Sequence, residues 1–218
     1  IAAFGWLTAP PILAILVVGI LLCIPGLVSR IATLRPGLEG TKIGRLGLVP
    51  SILIYSAATA FLANAMVRPL QLPQGWDEIA YHLPTALAWA ESGRLVVADW
   101  LRYPLFPFNM QLLYAAALIV ARDISAHLVH ALSGLLAVVL TFSVARMYIP
   151  SVFAALSSVF LVYAIRESLH TADIDLGLML YISSAFASLA FGYIARQKRF
   201  VLLSAFFVGL ALGTKYQA

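Results

Sequence analysis

Apolar runs near twenty residues recur along this chain between polar links, the length needed to cross about 30 Å of hydrocarbon as a helix. The pattern predicts six spans: Trp6 to Val28, Leu46 to Val67, Ser125 to Ala145, Ser151 (or Tyr148) to Ile165, Leu176 to Ala195, and Phe200 to Tyr216. Prolines at 10, 11 and 25 fit the ends or kinks of the first span. The longest polar interruption is Gln74 to Phe108, QGWDEIAYHLPTALAWAESGRLVVADWLRYPLFPF. Within it Ile79, Leu83, Leu87 and Ala90 recur at helical spacing, Pro84 breaks or restarts the helix, and Ser92-Gly93 ends it. The expected element is a short amphipathic helix at the membrane surface.

Leu105 to Ala121 is apolar but short, with Pro107, Asn109 and Gln111 in its first half. Charge decides its placement. The link between the first two spans carries Arg30, Arg35, Lys42 and Arg45 against Glu39 alone, which marks it cytoplasmic. If Leu105 to Ala121 does not span, Arg146 and the group Arg196, Lys198 and Arg199 join that side. Eight of the fourteen basic residues are then cytoplasmic and eight of the nine acids external. If it spans, those four basic residues fall outside, against the positive-inside rule. The segment therefore reads as a second, partly inserted juxtamembrane helix. The expected architecture is all-α and polytopic, with about six transmembrane helices plus two juxtamembrane helices in the first outer loop. Residues 1–45 form an extra span with its cytoplasmic link; 46–218 form the main module, with outer loops over 68–124 and 166–175.

Composition agrees. The chain is 62% hydrophobic and 11% charged, which excludes disorder and a water-soluble globular domain. The net charge of +5 resides in short interspan links and does not indicate nucleic acid. Cys23 is the single cysteine, so neither a disulfide framework nor a cysteine metal site exists within the chain. The chain starts at Ile1 and stops at Ala218 within or just after an apolar run, so a piece of a longer protein is expected.

Candidate chemistry lies in the outer loops. Asp77 and Glu78 are adjacent carboxylates that belong at an interface or in a wet cavity, as helix cap and solvated neighbour or as reacting groups. Asp173 and Asp175 have the Asp-x-Asp spacing that can direct two carboxylates at one cation, and equally suits the start of a helix. Glu167 and His170 lie nearby. Arg102, Arg166 and Lys215 are fixed cations suited to a phosphate-linked substrate; for Arg102 snorkelling or pairing with acids is the simpler role. Tyr81, His82 and Tyr103 share the first loop. His127 and His130, three apart, read as a helix-packing pair, and Trp6, Trp76, Trp89 and Trp100 as interfacial aromatics.

These residues, in this order, resemble the GT-C glycosyltransferases that take sugars from polyprenyl-phosphate carriers, the group of lipid A aminoarabinose transferase and the protein O-mannosyltransferases. WDEIAY resembles the first-loop motif, RYPLFPFN the Lys-Pro-Pro stretch (with Arg-Tyr-Pro instead), TADIDLGLMLY the second-loop acid, and GLALGTKY the Gly-rich Thr-Lys span end. The likeness covers Leu46 to the end, the N-terminal part of such an enzyme. It implies an inverting transferase in a cell membrane, expected to be the bacterial inner membrane, with extracytoplasmic active loops. Asp77 is then the catalytic base, assisted or oriented by Glu78. Asp175, with Asp173, binds a divalent cation or the acceptor. Lys215 and Arg102 hold the donor phosphate, with Tyr81, His82 and Tyr103 among the substrate contacts. The lipid tail lies along Leu105 to Ala121. The alternative is a non-catalytic membrane subunit on the same scaffold, packed against partner helices. A transporter is disfavoured because the acids sit in outer loops rather than at mid-membrane.

Overall fold

The computed structural model describes residues 5–21, 48–97, 99–105, 107–121 and 124–216. The last seven residues of the first expected span (22–28, with Cys23), the basic link 29–45, Arg122 and Asp123 lie outside the described residues. The fold is all-helical, and no strand occurs among the described residues. The longer helices are α1 (Ala9–Leu21), α2 (Leu48–Ala65), α3 (Leu83–Ser92), α4 (Asn109–Ala121), α5 (Ser125–Ala145), α6 (Ser151–Ile165), α7 (Asp175–Ala195) and α8 (Lys198–Leu212).

Helices α5 and α7 are long and apolar enough to cross a membrane. Only 33% and 28% of their apolar windows are buried within the chain, so most of that surface faces outward, unlike the core helix of a soluble protein. Neighbours pack as α2 on α6, α5 on α6 and α7, and α7 on α8. The core between them is made of small side chains (Ala131, Ala137, Ala154, Ala155, Ala185, Ala187) that let backbones approach, while Phe160, Phe186 and Leu202 point away.

One end of this bundle carries the polar loops. The 3-10 turn Arg68–Leu70 follows α2 and packs on α5 and on the 3-10 turn Ser168–His170. Arg68 reaches the Glu167 carboxylate at 3.4 Å and the Arg166 carbonyl at 3.5 Å. The first loop then turns helical at Trp76 and runs to Ser92, with Glu78–His82 wound as a π turn. Pro84 does not break it. A proline lacks an N–H and crowds the carbonyl four residues back; here the wider π turn precedes it, and Leu83 N–H bonds back to the Glu78 carbonyl. The helix ends at Gly93, whose φ of 70° is the left-handed conformation glycine adopts freely. Its carbonyl accepts the Leu7 N–H at 2.9 Å, fastening the segment before α1 to the end of α3.

Helix α4 starts at Asn109, later than the apolar run suggested. Asn109 N–H donates to the Gly213 carbonyl at 3.0 Å and its Nδ2 to the Leu210 carbonyl at 2.9 Å, both at the end of α8. Next to it, Met110 lies against Gly177 at the start of α7. At its other end α4 leads within four residues into the start of α5. Both ends of α4 thus lie at the loop-bearing end of the bundle. Its thirteen residues give about 20 Å of helix, too short to cross the hydrocarbon.

Candidate functional site

The site is built upward from α5. His127 and His130 sit one turn apart on its buried face. His130 Nδ1 donates to the Thr171 carbonyl at 2.8 Å, and its Nε2 accepts the Leu176 N–H at 3.0 Å. One ring thus fixes both ends of the second loop and requires the tautomer protonated on Nδ1. His127 turns both nitrogens to oxygens: Nδ1 to the Pro69 carbonyl at 3.3 Å, and Nε2 to Glu78 Oε1 in a short ion-pair contact.

Glu78 is fully buried, and both its oxygens are engaged. Oε2 accepts Gln74 N–H at 3.1 Å and Gly75 N–H at 3.0 Å; Oε1 accepts Ala172 N–H at 2.9 Å beside His127. Burial acts to raise its pKa. The hydrogen bonds from His127, Gly75 and Ala172, with the attraction of His127, outweigh that and hold the carboxyl below the usual Glu range. Of the two roles expected for Glu78, direct assistance is corrected, since no lone pair or surface is left for a substrate; an orienting role is compatible with the burial. Its oxygens instead cap the first loop and bind it to the second.

Asp77, one residue earlier, is exposed. It does not cap the helix, as its backbone is already helical and its side chain makes no capping bond. It hydrogen-bonds Tyr81 instead; burial first, then that bond and the Asp77 charge, push the Tyr81 phenol well up. Tyr81 is buried beneath Tyr103, edge to face at 5.0 Å. Arg102 lies over the Trp76 ring at 4.9 Å and the Tyr103 ring at 5.4 Å. The Arg-Tyr-Pro stretch therefore folds back onto the WDEIAY turn. Arg102 rests on aromatic rings here, rather than on the acids expected to pair with it.

His82 lies beneath this surface, 2% exposed, so a direct contact of His82 with substrate is also corrected. The Gln111 amide donates to its Nδ1 at 2.7 Å. Burial pushes the ring's pKa down to about 4, against the attraction of Asp77 and Asp175, so it is neutral. The charges of Asp77, Asp175, Lys215 and Glu78 all act on the His82 ring, so the first-loop acids, the start of α7 and the turn after α8 lie within electrostatic reach of it.

The second loop splits its two aspartates. Asp175 opens α7, is exposed, and bonds Lys215 Nζ at 3.0 Å. Lys215 lies beyond the end of α8, not inside a span end as the apolar run suggested. Asp173 precedes the helix and turns inward. Its carbonyl accepts the Tyr114 hydroxyl, and Oδ1 is buried with no hydrogen-bond partner among the described residues. Burial raises its pKa and the charges of Glu78, Asp175 and Asp77 add to the rise, against a hydrogen bond with Thr171 that lowers it. This donor set does not fit the divalent cation expected at Asp173 and Asp175. A lysine ammonium already neutralises Asp175, the two side chains diverge, and among the described residues no three His, Cys, Asp or Glu converge as a metal-holding group.

From the sequence, His127 and His130 are expected only to pack helices, Gln111 stands out only as a polar residue in an apolar run, and Tyr114 is not singled out; all four hold the loops. Their signal was polarity inside apolar runs: two histidines one turn apart, and an amide in a segment that otherwise reads as lipid-facing.

No family model matches the chain, and no solved structure matches it. An uncharacterized protein of Shigella flexneri is 30% identical to it over 129 residues, 56% of this chain. The chain spans 63% of the length of that protein.

Proposed function

We propose that this chain is the loop-bearing part of a multi-pass membrane glycosyltransferase of the GT-C type, taking a sugar from a polyprenyl-phosphate carrier on the extracytoplasmic face of a bacterial inner membrane. The observation that carries the reading is the division of labour at Asp77-Glu78. Glu78 is sealed into the scaffold, while Asp77 and Asp175 are exposed and, with Lys215, lie within electrostatic reach of the same His82 ring. The outward apolar surface of the helices supports a lipid surrounding, and α4 at the loop end supports a juxtamembrane helix.

Asp77 takes the proton of an acceptor hydroxyl. The oxygen attacks the anomeric carbon, the bond from that carbon to the carrier phosphate breaks, and the electron pair leaves with the phosphate. Lys215, held in position by Asp175, meets that growing negative charge. Arg102, on its aromatic support, is a second cation at the rim.

The test uses the full-length protein with a polyprenyl-phosphate sugar. Asp77→Asn should lower kcat by about 10²–10⁴ while membrane insertion and donor binding persist. Lys215→Met should raise the donor KM instead. Near-normal turnover of Asp77→Asn would remove the catalytic assignment.

A further inference from the structure

We infer that Glu78 is a positioning residue that couples the two outer loops, and that its hydrogen bond to the Ala172 N–H is the coupling element. Four donors from three separate segments meet its carboxylate: Gln74 and Gly75 in the first loop, His127 on α5, and Ala172 in the second loop. Each oxygen has its own task. Oε2 closes the turn that leads into Trp76 and Asp77. Oε1 joins α5 to the second loop, within three residues of Asp175. A carboxylate sealed from water is costly unless its lone pairs are satisfied, so the four donors are held to it together or not at all. Loop-to-loop coupling is thus all-or-none at this point. Arg68 with Glu167 adds a second, exposed tie between the same loops; being solvated, it is the weaker one.

Glu78→Gln isolates the coupling. The amide keeps one oxygen and replaces the other by an NH₂ group. With the oxygen toward Gln74 and Gly75, the NH₂ faces His127 and Ala172. A neutral His127 can accept from it through Nε2 while Nδ1 still donates to Pro69. The Ala172 N–H then meets another donor and loses its partner. The reverse orientation sets the NH₂ against two N–H groups and is worse. The variant therefore keeps the first-loop turn and the α5 contact but releases the second loop.

The kinetic arm rests on the glycosyltransferase reading; two further arms do not. In the full-length protein with Cys23→Ser, Thr171→Cys is a buried reporter, since Thr171 is 7% exposed. It should resist a membrane-impermeant maleimide with Glu78 present and react with Glu78→Gln. Hydrogen exchange on the unsubstituted protein should show the peptides bearing Gly75 and Ala172 opening in one event at one rate. In turnover, Glu78→Gln should lower kcat by about 10²-fold with donor KM unchanged, the mark of a base shifted from its acceptor rather than a lost donor contact. A reporter that stays protected in Glu78→Gln overturns the coupling. So does exchange at Ala172 far faster than at Gly75, a result that needs no variant to fold. Labelling and exchange as expected in a protein with no transferase activity keep the coupling and remove only the glycosyltransferase reading.

Discussion

A methyl group at position 177 tests where α4 lies. The Cβ of an alanine there would stand 2.2 Å from Met110 Sδ, 2.7 Å from its Cε and 2.9 Å from its Cγ, all inside contact distance. Met is flexible, but Met110 is wholly buried, so the thioether cannot swing into solvent. Overpacking of this kind costs about 1–3 kcal/mol. The better helix propensity of alanine returns up to about 1 kcal/mol in α7, less in a first turn. The net expected loss for Gly177→Ala is about 1–2 kcal/mol, or about 2–8 °C in apparent Tm for a chain of this size. Met110→Ala alone leaves a cavity and should cost about 2–5 kcal/mol. Combined, the new methyl enters the space the thioether vacates, so the double variant should be more stable than the two losses added, by about 0.5–3 kcal/mol. The assay is thermal unfolding of the four proteins in one detergent, followed by tryptophan fluorescence. Strict additivity, or a Gly177→Ala protein as stable as the parent, would mean that α4 does not press on the start of α7. The account of α4 as a helix held at the loop end would then fail.

His82 sets an acid limit. Its folded pKa is about 4 against 6.5 when unfolded, so the unfolded chain binds the extra proton: stability is full above pH 6.5, falls between 6.5 and 4, and totals a loss of about 3 kcal/mol. The lowered Glu78 pKa adds to the loss at the acid end and the raised Asp173 pKa opposes it; a His82→Phe protein whose melting temperature still falls across that window would refute the assignment to His82. For topology, in a Cys23→Ser background a cysteine at Arg94 should label from outside the cell and cysteines at Arg146 and Lys198 only from inside. Outside labelling at Arg146 would mean that the segment before α5 crosses the bilayer.

What the sequence made legible depends on range. The boundaries of α5 and α6 coincide with their apolar runs because a change of polarity ends each: Asp123 before Ser125, Arg146 after Ala145, Arg166 after Ile165. The start of α4 was misread because Leu105 and Phe108 are apolar without being helical. The end of α8 was misread for the opposite reason. Gly213 and Thr214 turn the chain, and Lys215 leaves the helix to meet Asp175 forty residues back. The pairing of His127 with Glu78 and of His130 with Thr171 could not be read from either loop. A local pattern shows that a polar group needs a partner; only tertiary structure supplies which one.

Asp77 and Glu78 make the same point at the smallest scale. In sequence they are one acidic dipeptide, and a shared role is the natural reading. Successive residues on a helix differ by about 100° in direction, so at a helix lying on a protein surface one can face out while the next faces in. The inward carboxylate survives only where several donors already wait for it. Here a turn presents two N–H groups, the second loop a third, and α5 an imidazole. That requirement explains a histidine on an otherwise apolar helix, and it explains why the second loop is drawn against the first. With Glu78 consumed in this way, its neighbour has its carboxylate facing solvent on a rigid base. Under the proposed glycosyltransferase reading, chemistry at this surface falls to Asp77, and the distinct roles of the Asp-Glu pair follow from the opposite fates of its two acids.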